Sequence, residues 1–225
     1  MAFDMYIRCP DDLVNAIEEF GIVPFFKNSV PGFSISENVD PKVWFSEEDV
    51  GVWEWKGPVI QRCRCAYGKL FEKKAAFVSA EVYLDLANWR RDGYDFDARF
   101  DDGLATWADK ALFELVDTNA PVLSTYLKRL GGYKKEGRTG FDTSITRLQA
   151  QGYVIANDFV YAVDRKGRTY GWGTAEYTTP EKFWGAEFAD RVYQRSPEES
   201  RQRLLERLSM LFPRQKEAAL RKFLG

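Results

Sequence analysis

The stretch GFDTSITRLQAQGYVIANDFVYAVDRKGRTYGWG, Gly140 to Gly173, reads as one short helix followed by a hairpin with a basic tip. Asp142 is placed as the helix N-cap, Ile145 and Leu148 share a face, and Gly152 stops the pattern. A short strand (Tyr153 to Ile155), a strand (Phe159 to Val163), a turn at Asp164-Arg165-Lys166-Gly167 and a return strand to Tyr177 follow. Two helices precede it. In DDGLATWADKALFELVDTN, Leu104, Trp107, Ala108, Ala111, Leu112, Leu115 and Val116 recur at helical spacing, and Asp101 or Asp102 is placed to cap the first turn. In NAPVLSTYLKRLGG, Pro121 falls in the first turn, Leu123, Tyr126, Leu127 and Leu130 form one face, and Gly131-Gly132 ends it. Three helices and then a hairpin is the plan of a winged helix-turn-helix.

Placing Ile145 at zero and advancing about 100° per residue centres the apolar face of the third helix near 330°. A recognition helix would then present Thr143, Ser144, Thr146, Arg147 and Ala150 outward. Small side chains allow close approach to a groove, and Arg147 has the reach for a guanine edge or a phosphate. The alternative for the same residues is the solvated face of a core helix. The wheel also separates Gln149 from Gln151 by about 160°, so this Gln-x-Gln triplet cannot aim two amides at one sugar.

The chain carries a formal charge of -2, which counts against a dedicated duplex binder unless positive charge is concentrated on one face. Between Lys134 and Tyr170 it is. Seven basic residues (Lys134, Lys135, Arg138, Arg147, Arg165, Lys166, Arg168) face four acidic ones (Glu136, Asp142, Asp158, Asp164). They fall on the loop before the third helix, on its outer face and on the hairpin tip. Arg138, Arg165, Lys166 and Arg168 are the expected phosphate contacts, with Arg147 nearest the bases.

With 225 residues, 45% apolar and 16% aromatic, the chain has ample core for one large domain or two small ones. No apolar run approaches a membrane span, and the N-terminus shows no secretory signal, so a cytoplasmic protein is expected. There is no histidine, which removes imidazole acid–base and Ser-His or Cys-His catalysis. Cys9, Cys63 and Cys65 are too few for a zinc site without histidine; they read as structural thiols, and no metal or cofactor is expected.

Elsewhere, a helix is predicted from Asp11 to Phe20, stopped by Gly21, then a proline-broken loop through Pro41. Val50 to Val78 reads as strands: VWEWKG alternates, and AYGKLFEKKAAFVS forms a hairpin across Glu72 to Lys74. A helix follows from about Ser79 to Arg90. The acidic loop Arg91 to Gly103 marks the boundary between an N-terminal α+β region (1–98) with tryptophan-rich strands and the winged helix (99–180). The tail (181–225) opens a helix with a capping box, Ser196 to Glu199, whose Leu204, Leu205, Leu208 and Leu211 require a partner surface. GYKKEGRT (Gly132 to Thr139) is one residue from a phosphate-binding loop but follows a helix instead of a strand. The aspartates of Asp92 to Asp102 lack calcium-loop spacing. Trp53, Trp55, Lys56, Gln61, Tyr67 and Lys69 are candidate pocket residues, with Glu54 the carboxylate that would polarise the glycosidic bond of a flipped base. A core position for these tryptophans is the alternative.

Two segments, VWEWKGPVI…CAYGKLFEKKAAFVS and Leu104 to Tyr177, give the chain its resemblance to the AlkZ-related proteins, relatives of the AlkZ/YcaQ DNA glycosylases. The resemblance implies tandem winged helices, so the N-terminal region becomes a candidate second, degenerate copy. It also implies ancestry among enzymes that remove alkylated or crosslinked bases. In those enzymes a Gln-x-Gln or Gln-x-Asp element near the N-terminus positions the attacking water. Residues 1 to 60 here contain no glutamine, so that element is not carried over. The expectation is an α+β protein binding double-stranded DNA through helix 142–151 and wing 159–177. Its alternatives are a divergent glycosylase and a winged helix repurposed to bind a protein partner.

Overall fold

The computed structural model describes residues 4–44, 51–133, 137–167 and 169–225. The protein is of mixed helix and sheet, in keeping with the α+β class, and none of the helices among the described residues is long and apolar enough to cross a membrane.

Helix α1 (Pro10–Phe20) begins on a proline, whose missing N–H is no loss in a first turn, and ends at Gly21 with φ 76°. Strand β1 (Ile22–Pro24) leads to two single-turn helices, α2 (Ile35–Asn38) and α3 (Pro41–Trp44). The tryptophan-rich segment is a correction. Residues 52–55 form a turn, with Trp55 N–H bonded back to the Gly51 carbonyl at 3.3 Å, and α4 (Lys56–Cys63) begins there. Pro58 decides this: it lacks the donor a ladder needs and fits a first helical turn. Val50 lies outside the described residues. The predicted hairpin is present as β2 (Ala66–Phe71) and β3 (Lys74–Val78), turning across Glu72 and Lys73, both at positive φ. The antiparallel sheet has the order β1-β3-β2. Helix α5 (Ala80–Arg91) follows, and its buried residues join the same apolar core as the sheet.

The acidic loop holds α6 (Phe96–Asp101), capped by Asp95, whose carboxylate accepts the Ala98 N–H at 2.8 Å. Because α6 consumes Asp101, α7 (Trp107–Asn119) starts late and is capped by Thr106, not by Asp101 or Asp102. Leu104 and Trp107, expected on its apolar face, are consequently exposed. Pro121 precedes its helix instead of opening it: β4 (Val122–Leu123) intervenes before α8 (Ser124–Leu130). Helix α9 (Phe141–Ala150) has Gly140 as N-cap, not Asp142. The hairpin is β5 (Ile155–Val163), one strand where two were expected, and β6 (Thr169–Thr178), which also pairs with β4 to give the order β4-β6-β5. Short helices α10 (Pro180–Trp184) and α11 (Ala186–Arg191) precede α12 (Pro197–Leu211), with its capping box in place, and α13 (Glu217–Leu224). Leu204, Leu205 and Leu208 of α12 are buried, and α5 is the surface they needed.

Two apolar cores result. One gathers α1, the first sheet, α4, α5, the root of β5 and the tail helices; the other joins Leu112, Val116, Leu127, Phe141, Ile145 and Leu148 from α7, α8 and α9. Polar bonds close the seam between them. Arg91, 1% exposed, donates to the Gly152 carbonyl from Nε (3.2 Å) and Nη2 (2.7 Å), while its Nη1 reaches Glu181 (2.5 Å) and the Tyr193 hydroxyl (3.0 Å). The Tyr83 hydroxyl donates to the same carbonyl at 3.1 Å.

Candidate functional site

Phe141, Ile145 and Leu148 pin α9 into the second core, which fixes the direction its other residues face. One flank lies against β2. The Gln149 carboxamide accepts the Lys69 N–H at 2.9 Å and donates to the Ile145 carbonyl at 3.2 Å. Gly68 permits this approach, since a Cβ there would sit 2.8 Å from Gln149 Oε1. Gln149 is therefore bonded on both sides, and Gln151 is the C-cap beyond the helix, so the triplet forms no converging pair.

Between α9 and the β2–β3 hairpin opens a cleft of about 540 Å³ lined by Lys69, Lys73, Asp142, Thr143, Thr146, Arg147 and Ala150. Lys69 Nζ lies 3.2 Å from Thr146 Oγ1. Arg147, 40% exposed, bonds at 2.6 Å to Asp109, whose side chain is only 1% exposed and also accepts the Thr106 hydroxyl at 2.8 Å. The guanidinium is thus held in place from below while its outer face lines the cleft. Asp142 pairs with Lys128 at 3.3 Å. Three of the lining groups are basic and one is acidic, and that acid is already paired. Thr143 is exposed and Thr146 half-buried, as an outward face requires, but Ser144 is buried at 5% exposure. It stands on the flank of the helix wheel, where the neighbouring structure covers it.

At the hairpin tip Arg165 and Lys166 are exposed, and the Asp164 carboxylate shapes the turn by accepting the Lys166 N–H at 2.8 Å. Arg168, Lys134, Lys135 and Glu136 lie outside the described residues. Arg138 is not brought to the cleft. It lies over the Tyr133 ring at 4.8 Å and lines a separate groove against α7.

The pocket candidates divide. Trp55 and Tyr67 are core residues, 5% and 6% exposed, and Tyr67 packs among Phe25, Phe77 and Phe159, so neither offers a face to a ligand. Burial pushes the Tyr67 hydroxyl well above its ordinary value. Gln61 is exposed and donates to the Asn157 carbonyl at 2.6 Å. Trp53, Glu54 and Lys56 do come together. Lys56 Nζ lies over the rings of Trp53 (4.1 Å) and Phe159 (4.3 Å), and burial lowers its ammonium to about 8, with Glu54 pulling the other way. Glu54, half-buried, accepts the Gly51 N–H at 3.0 Å. Trp172, 69% exposed on β6, meets the Trp53 ring edge-on at 5.8 Å.

Sequence reasoning missed Lys73, Asp109 and Trp172. Lys73 had a usable signal, a cation at a hairpin tip. Asp109 had none, because its partner lies 38 residues away.

Among the described residues no group of three or more Asp, Glu, Cys or His is placed to hold a metal ion. The model of a family described as AlkZ related matches residues 7–225. No curated protein and no solved structure matches the chain.

Proposed function

The chain belongs to the AlkZ-related family, and from that premise we propose that it binds double-stranded DNA through a winged helix-turn-helix built from α7, α8, α9 and the β5–β6 hairpin. Three helices sharing one core, with a short strand joining a hairpin, support this reading of the fold. The observation that carries the functional reading is the cleft beside α9, where Lys69, Lys73 and Arg147 converge with two threonine hydroxyls. Cations and hydroxyls on a rigid helix and hairpin are the groups that fix a phosphate backbone in register. Lys69, Lys73, Arg165 and Lys166 are assigned to phosphates, and Thr143, Thr146 and Arg147 face the groove. Arg168 keeps its proposed place on the wing.

Fluorescence anisotropy of duplex DNA across a salt series tests this. Each lost phosphate contact flattens the log–log slope by about 0.9, so replacing Lys69, Lys73, Arg165 and Lys166 by Ala flattens it by roughly three to four units. An unchanged slope sinks the assignment. A second reading, a protein-binding scaffold, draws on the partial cover of α9 by β2. Lack of any binding at low salt would favour it.

A further inference from the structure

The β5–β6 hairpin carries more exposed apolar surface than a solvated wing needs. Val160, Val163, Tyr170 and Trp172 are all exposed, Trp172 most of all at 69%. That indole is nevertheless held in place. It stands perpendicular to the Trp53 ring at 5.8 Å, and Trp53 packs in turn against Trp44 (6.4 Å) and Phe25 (5.2 Å). The Tyr161 hydroxyl donates to the Trp53 carbonyl at 2.9 Å and fastens the hairpin to the same turn. Gly171 and Gly173 flank Trp172 at φ 81° and 70°, and a Cβ on Gly173 would lie 2.8 Å from the Tyr161 ring. The strand pairing also slips register between Val160 and Ala162, opposite this stretch. Left-handed glycines and bulges re-aim side chains, and here they leave an indole anchored on one side with a face open to solvent.

We propose that Trp172 is a stacking platform for an unpaired nucleobase, with Arg165 and Lys166 holding the neighbouring phosphates, so that the protein prefers DNA with a break in its pairing to intact duplex; this rests on the DNA reading above and deepens it. Two observations select that ligand. The first is a fixed aromatic face and cations on one hairpin: Trp172, then Tyr170, then the exposed Arg165 and Lys166 at the tip. A base offers a π-face and its backbone offers phosphates, and this pair of groups binds unpaired strands without reading their sequence. In an intact duplex each base is stacked within the helix and has no face to give; an extrahelical base has one. The second observation is the cover on α9, whose flank is taken by β2 through the bonds of Lys69 to Gln149 and Thr146. A helix alone nearly fills a major groove of about 12 Å. With β2 alongside, α9 serves to grip the backbone, and the discriminating contact falls to the wing.

The test measures binding of the full chain, by anisotropy, to an intact DNA duplex, to the same duplex with one extrahelical 2-aminopurine, and to the matched single strand. Fluorescence of the 2-aminopurine, which is quenched on stacking, reads the base itself. The wild type should bind the duplex with the extrahelical base roughly fivefold or more tighter than the intact one and quench the probe. Added salt should weaken both complexes and leave their ratio in place, because stacking releases no counterions. In Trp172→Ala the ratio should fall towards one and the quenching disappear, and Trp172→Phe should restore both in part. A single strand bound as tightly as the interrupted duplex, with the same dependence on Trp172, also supports the platform and identifies the free strand as its source. Equal affinity for intact and interrupted duplex, a preference abolished by salt, or quenching that survives Trp172→Ala overturns the platform and leaves the duplex reading standing. No binding to any of the three overturns both.

Discussion

Replacing Lys56 with Met should stabilise the protein, and by an amount that depends on pH. Burial lowers the ammonium from 10.5 to about 8, which corresponds to roughly 3 kcal/mol of penalty on the charged form. The net cost at neutral pH is therefore up to about 3 kcal/mol. Methionine fills a similar volume, carries no charge and keeps contact with the aromatic faces. The direction with pH follows from proton counting. The folded value lies below the unfolded one, so between about 8 and 10.5 the unfolded chain binds more protons and wild-type stability rises with pH. Below about 8 the penalty is fully present. Urea unfolding of both proteins at pH 6.5, 7.5, 8.5 and 9.5 should show the Met variant ahead at the two lower values and the gap closing above pH 8. A variant less stable than wild type at pH 7.5, or a gap that ignores pH, refutes the reasoning.

Three further substitutions probe the seam and the cleft. Glu181→Ala leaves the Arg91 guanidinium buried with only carbonyl and hydroxyl partners and should cost about 2 to 3 kcal/mol in urea unfolding. Gly152→Ala forces a side chain onto φ 81° and puts its Cβ 3.1 Å from the Ala87 Cα; a loss of roughly 2 kcal/mol should appear in the same assay. Arg147→Ala strands the buried Asp109 carboxylate and should cost about 2 to 3 kcal/mol, most of it recovered when Asp109→Asn is added. A double-mutant cycle with no coupling would show that the two residues are independent.

Much of the chain's local plan was legible because its signals are local. Gly21, Gly131 and Gly152 end helices by adopting or preceding turns that other residues resist, the β2–β3 alternation survives without context, and the Ser196 capping box closes within four residues. Misreadings arose where two local signals competed. VWEWKG alternates like a strand, yet Pro58 belongs to a helical first turn, and the helix won. Asp101 and Asp102 are good caps, yet α6 forms first and Thr106 caps the next helix instead. The candidate site was less readable, because its properties depend on distant partners. Lys69 meets α9 across 80 residues of chain, Arg147 finds Asp109 on another helix, and Lys56 owes its burial partly to Phe159. Ser144 lies near enough to the apolar face that only the packing of its neighbours decides whether it is covered.

The aromatic contacts of α13 bear on how the chain comes together during synthesis. Phe223 stacks on Phe71 at 4.6 Å and meets Phe33 at 5.3 Å, while Leu220 and Leu224 join the same core as α1. The buried residues of the second core, by contrast, run from Phe96 to Val154, with Tyr177 of β6 packed against them. On the ribosome that middle portion has its contributing side chains well before the earlier-made sheet does. Phe33 and Phe71 must wait, unshielded, until residues 217–224 have emerged. The portion translated first is therefore completed last, and it is the one exposed to nascent-chain binding factors for longest.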